Sequence, residues 1–167
     1  MTQNENTLIK FYTAFAASDV SLMCECYHDD IQYNDPIFEI LKGKNVCQMW
    51  EMLIGRSNGN LKIEFSDIKA DQYLGSARWT ATYNYSKTNR KVVNVIHSQF
   101  HFKDGLIIKH TDNFDIWKWS KQALGIKGFL FGWTGYFQNN IQNQALLSLK
   151  LYKEKKAKLP KESALVC

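Results

Sequence analysis

The chain has 167 residues, of which 45% are hydrophobic and 22% charged; these are the values of one globular domain with a real core, and they exclude a disordered chain. The formal charge is +5, but residues 150–167 hold six Lys against two Glu, so the rest is nearly neutral and lacks the basic, aromatic stripe of a nucleic-acid binder. No apolar run reaches membrane length and MTQNENTLIK lacks the pattern of a signal peptide, so a cytoplasmic protein without a membrane partner is expected.

In chain order, Leu8, Phe11, Tyr12 and Phe15 recur at the spacing of one helical face and predict a helix over residues 5–16. Ser18 or Asp19 then caps a short helix through Leu22, Met23 and Cys26. Residues 30–38 (DIQYNDPIF) alternate as a strand with Ile31, Tyr33 and Asp35 on one side, and Pro36 marks its exit or an edge. A third helix follows Gly43, with Val46, Met49, Trp50 and Leu53 as its apolar face, and SNGN (57–60) is a turn.

From Leu61 the period becomes two. Residues 61–70, 75–86, 91–103 and 106–116 predict four long strands, the last two joined by an Asp104-Gly105 hairpin. Trp79, Ala81, Tyr83 and Tyr85 share one face; Ile96, Ser98, Phe100 and Phe102 share another, with His97, Gln99 and His101 opposite. Leu106, Ile108, His110, Asp112 and Phe114 would line one side of the last strand. Residues 115–124 predict a helix closed by Gly125, residues 128–135 a Gly- and aromatic-rich loop or helix break, and residues 136–157 a long final helix. The sum is an α+β domain with helices covering one face of a twisted antiparallel sheet. Four Cys stand at 24, 26, 47 and 167 without a zinc spacing; buried free thiols are the expected state, which again points to the cytoplasm.

Two local motifs carry a resemblance. YHDDIQYNDPIF (27–38) is similar to the F-x-D-D-x-x-x-x-D-P segment of ketosteroid isomerases and SnoaL-type polyketide cyclases. FHFKDGLIIKHTDNFD (100–115) is similar to the F-x-F-x-D-G-K-I-x-x-x-x-D-x-F-D segment of SnoaL-like proteins and limonene epoxide hydrolases. In this order, on this plan of helices and strands, they resemble the nuclear transport factor 2-like superfamily. That resemblance implies a cone: a curved antiparallel sheet wrapped around N-terminal helices over residues 1–117. Residues 118–167 would form a C-terminal helical extension packed on the cone or over its mouth, ending in a basic, disordered tail.

The resemblance also implies candidate chemistry. Asp35 matches the general base of ketosteroid isomerase, the handling of whose carboxyls is a standard case of tuning by an apolar site. Phe11, beside Tyr12, stands where that enzyme has its oxyanion tyrosine, and Ser98 near its neutral aspartic acid, which argues against steroid isomerisation. Asp112 matches the acid–base aspartate of polyketide cyclases. Trp79 and Ala81 occupy the places of the charged relay of limonene epoxide hydrolase, which argues against epoxide hydrolysis.

Two inward acids in an aromatic chain (14% Phe, Trp and Tyr) point to a pocket rather than a plain core. The candidate catalytic residues are Asp112, Asp35 and His110. Each has a plainer reading: Asp112 as a bonded structural acid, Asp35 as the organiser of the turn at Pro36, His110 as a satisfied core histidine. Tyr33, Trp79, Tyr83, Ser98, Phe100 and Phe114 are the candidate ligand contacts. No metal site and no cofactor is expected, and nothing resembles a nucleotide-binding loop. The expected partner is an apolar carbonyl-bearing small molecule, acted on by an isomerase or cyclase; the alternative is a non-catalytic ligand-binding or assembly module. Either is expected as a homodimer paired through the outer sheet face.

Overall fold

The computed structural model describes residues 1–158; the end of the basic tail, including Cys167, lies outside the described residues. The first helix, α1 (Gln3–Ala16), starts at a capping box in which Thr2 and Glu5 satisfy each other's backbone amides. Asp19 caps α2 (Val20–Glu25) by accepting from the Leu22 amide. Strands β1 (Tyr27–Asn34) and β2 (Leu41–Lys42) and helix α3 (Lys44–Arg56) follow. Then come β3 (Lys62–Ala70), β4 (Leu74–Tyr85), β5 (Arg90–Lys103) and β6 (Leu106–Asn113). Asp104 and Gly105 both take positive φ, the twist a two-residue hairpin requires, and join the last pair.

The six strands run in the order β2-β1-β6-β5-β4-β3. The pairing differs from the antiparallel sheet expected in one place: β1 lies parallel to β6, so the sheet is mixed. The curved sheet packs its inner face on α1 and α3 through Leu8, Phe11, Phe15, Val46, Met49 and Trp50, all buried. Register places Ser98 opposite Asp112 and Phe100 opposite His110, so these four share the inner face. A bulge beside Phe102 breaks the alternation expected of β6. Ile107, not Ile108, is therefore the fully buried residue of that strand's first half.

The strand β6 stops at Asn113, short of the predicted Ile116, because Asp115 caps a helix by accepting from the Lys118 amide. This helix, α4 (Ile116–Leu124), covers the part of β5 that extends beyond β6. Its Gln122 side chain acts as a substitute strand: Nε2 donates to the Val93 carbonyl at 3.1 Å and Oε1 accepts from the Val93 amide at 2.8 Å. Gln122→Ala should cost about 1 kcal/mol and speed amide exchange at Val93 selectively, read by hydrogen-exchange mass spectrometry; unchanged protection there would contradict this role.

The aromatic stretch expected as a loop or helix break contains the end of a further helix, α5 (Ile126–Phe131), and a break before α6 (Gly135–Lys158). A Cβ on Gly128 would stand 1.9 Å from the Ser120 carbonyl oxygen, so only glycine lets α5 fold back on α4. Helix α6 returns along α3, where Tyr152 and Lys156 bond Glu51 and Leu149 enters the core.

The expectation of free thiols is corrected: Cys24 and Cys47 are disulfide-bonded and tie α2 to α3. Cys26 alone is free among the described residues; it is buried, and burial pushes its thiol up to about 11. The pairing was hidden because its partners lie 23 residues apart on separate helices. With it goes the thiol argument for the cytoplasm. No helix among the described residues is long and apolar enough to cross a membrane.

Candidate functional site

Between the inner sheet face, α3 and α6 lies a cavity of about 380 Å³, within the range of small-molecule sites. Tyr33 and Asp35 reach it from β1 and its exit, Asp112 and Phe114 from β6 and its exit, and Trp79 and Tyr83 from β4. Apolar surface dominates the wall, and its only acids among the described residues are Asp35 and Asp112. Three of the sequence-predicted residues stand behind the wall: Ser98, Phe100 and His110 are buried but do not line the cavity.

Both carboxyls meet one hydroxyl. Tyr33 Oη lies 2.9 Å from Asp35 Oδ2 and 3.1 Å from Asp112 Oδ2. A tyrosine carries one proton, so it can donate to only one carboxylate at a time. The contact to the other is satisfied only when that carboxyl brings a proton of its own. Burial forces the Tyr33 phenol well above its ordinary value, reinforced by the charge of Asp35, so the hydroxyl remains a donor.

Behind Asp112 the hydrogen bonds close completely. Its Oδ1 accepts from Ser98 Oγ and, at 2.9 Å, from His110 Nε2. Ser98 in turn accepts from Tyr12 Oη at 3.0 Å and Trp79 Nε1 at 2.8 Å. On its far side His110 Nδ1 lies 2.8 Å from Tyr27 Oη, which accepts from Trp50 Nε1. The Tyr27 proton then has only Nδ1 to go to, which assigns His110 the neutral tautomer with its proton on Nε2. Asp112 thus has fixed donors in Ser98 and His110, with Tyr33 as a third only when its proton turns away from Asp35.

Asp35 is the more accessible acid. Its Oδ1 accepts from the Ile37 amide at 2.7 Å and from the Phe38 amide, the turn-organising bonds expected around Pro36, while Oδ2 faces Tyr33. Burial raises its pKa from 3.8 to about 6 against the lowering by the Phe38 amide, and the charge of Asp112 adds to the rise. In the part of the wall made by β4, Tyr83 Oη accepts from Trp119 Nε1 at 2.8 Å. Its own proton has no acceptor among the described residues, and burial keeps it in place by pushing the phenol up to about 12. Among the described residues no three His, Cys, Asp or Glu side chains converge as metal ligands.

Several lining residues were missed by the sequence reading. Trp119 fixes the Tyr83 hydroxyl, and Phe137, Ile141 and Ala145 of α6 close the cavity from the C-terminal side. Helix α6 has no clean apolar face, so periodicity held no signal for its inward residues.

The family model for the SnoaL-like domain matches residues 8–110. Comparison with curated proteins finds no match. Among solved structures, the chain is similar to Bal32a from a soil-derived mobile gene cassette, at 19% identity over 72% of this chain and 96% of that one, with a TM-score of 0.64. It is similar to an LEH-like epoxide hydrolase from M. tuberculosis, at 20% identity over 77% and 92%, TM-score 0.58. It is also similar to an NTF2-like protein of unknown function from Burkholderia pseudomallei, at 13% identity over 74% and 98%, TM-score 0.61. At such identities the likeness is one of fold, here the nuclear transport factor 2-like fold, and it agrees with the family match: the chain belongs to the SnoaL-like domain family.

Proposed function

We propose that this protein binds an apolar carbonyl compound in the cavity and moves a proton at the carbon beside the carbonyl, as a cofactor-free isomerase or cyclase. The observation that carries the reading is the pair of carboxyls on one tyrosine hydroxyl, an arrangement one proton short of full satisfaction. Asp35, ionised at neutral pH, takes the α-proton and becomes a carboxylic acid. Its new O–H then donates to Tyr33, whose own proton turns to Asp112, so the protonated state is the better bonded one. The C–H electron pair moves onto the carbonyl oxygen, where the free Tyr83 proton stabilises the enolate. Return of the proton to another carbon completes an isomerisation; attack of the enolate carbon on a second carbonyl closes a ring, and the alkoxide so formed takes the proton back from Asp35. Asp112, with His110 behind it, acts through Tyr33 by holding the negative charge that directs the proton.

The probe is β-tetralone, a bicyclic aromatic ketone, with exchange of its α-protons for deuterium followed by NMR. The wild type should accelerate exchange, and Tyr83→Phe should slow it about tenfold to a hundredfold with little change in fold. Asp112→Asn should also slow it. Failure of the wild type to bind or exchange any apolar cyclic ketone would remove this reading.

The alternative, an assembly module, has one observation in its favour. Arg78, His97, Gln99 and His101 stand exposed on the outer sheet face. A homodimer paired through that face would show by light scattering and would dissociate on reversing Arg78 to Glu.

A further inference from the structure

The most exposed apolar surface belongs to the corner between α5 and α6. Ile126 is 78% exposed, Trp133 64% and Tyr136 85%, with Phe129, Leu130 and Phe131 more than half exposed beside them. Short-range contacts hold this corner together: Trp117 Nε1 bonds the Phe129 carbonyl, Trp133 Nε1 bonds the Leu130 carbonyl, and Phe131 packs beside Phe137. An apolar patch of this kind on a small domain marks a surface that is covered by something.

Charge selects the cover. Residues 116–153 contain five Lys and no Asp or Glu. Three of the five stand in α4 and α5 beside it: Lys121 of α4 lies over the Trp117 ring with Nζ 3.9 Å from its centroid, Lys118 follows Trp117 in α4, and Lys127 is in α5 itself. A second copy docked through the same face would set these lysines against each other, because a two-fold contact is self-complementary. Phe, Trp and Tyr with flanking Lys are instead the composition that settles at the headgroup level of a bilayer, rings in the acyl boundary and ammonium groups on the phosphates.

From this we infer that the α5–α6 corner attaches the protein peripherally to an anionic membrane surface. The expectation of no membrane partner rested on the lack of a spanning run, and peripheral attachment needs none. Helix α6 carries Tyr136 on this surface and, one residue on, Phe137 in the cavity wall. A membrane-dissolved apolar ligand would therefore meet the cavity wall next to where the protein docks.

The test is flotation of the full chain with vesicles of phosphatidylcholine alone and with phosphatidylserine added to roughly a third of the lipid. The wild type should float with the anionic vesicles, less so as salt rises, and not with the neutral ones. Ile126→Ser combined with Trp133→Ser should weaken flotation at least about tenfold. Lys118→Glu, Lys121→Glu and Lys127→Glu together should do the same, with circular dichroism unchanged. A wild type that stays at the bottom of the gradient with anionic vesicles overturns the inference. So does a wild-type dimer that the Ile126/Trp133 variant converts to a monomer in light scattering, since a second copy would then be the cover. The cavity variants leave flotation intact, so the two readings fail separately.

Discussion

Asp35→Asn should make the protein more stable at pH 7 and at the same time abolish proton transfer. The folded chain holds the Asp35 proton more tightly than the unfolded one, because burial raises its pKa from 3.8 to about 6. Its contribution to stability is therefore present in full below the unfolded-state value and is lost as pH rises towards the folded one. Two units of difference correspond to about 3 kcal/mol at most, and partial exposure of the residue reduces that. Asparagine imitates the protonated acid: its oxygen still accepts from the Ile37 and Phe38 amides and its NH₂ can donate to Tyr33. A gain of about 1–2 kcal/mol at pH 7 follows, read from urea unfolding. The difference between wild type and variant should vanish towards pH 4. The loss of a general base should cost about 10²–10⁴-fold in β-tetralone exchange. A variant that is less stable at pH 7, or equally active, would contradict the role given to Asp35.

The candidate site was legible in the sequence only in part. Alternation along β1 and β6 was enough to turn Tyr33 and Asp112 inward, since a two-residue period fixes which side of a strand a residue faces, whereas Asp35 lies just past β1 and is aimed by its bonds to the Ile37 and Phe38 amides. Alternation could not show that Tyr33 bridges the two acids, because that contact depends on the parallel pairing of β1 with β6. The period also failed at the bulge beside Phe102, which shifts the first half of β6 by one residue. Ser98 was legible as an inward residue but not as a junction of three hydrogen bonds, since its partners Tyr12, Trp79 and Asp112 come from three separate elements. Long-range closure of this kind, like the Cys24–Cys47 bond and the α6 wall, leaves no local trace.

The junction at Ser98 makes the second prediction. Ser98→Ala should cost about 3–5 kcal/mol, a large share of the 5–15 kcal/mol typical of a whole domain. The hydroxyl is small, and little apolar area is lost with it. The cost comes from what it leaves behind: the Tyr12 O–H and Trp79 N–H lose their acceptor, and Asp112 loses the Ser98 donor, all on buried side chains. Removing one partner of a buried hydrogen bond exposes the full desolvation cost of the others, whereas removing the partners together does not. Tyr12→Phe and Trp79→Phe should therefore each be cheaper on the Ser98→Ala background than on the wild type. The triple variant should recover about 1–2 kcal/mol of the summed single effects, measured by urea unfolding in a double-mutant cycle. Strict additivity would mean that the three groups are bonded independently, and Asp112 would then lack the rigid backing that fixes its Oδ2 on Tyr33. With that backing, the hydrogen bonds from Ser98 and His110 aim the Asp112 carboxyl into an apolar cavity, and the proton chemistry proposed for Asp35 depends on that aim.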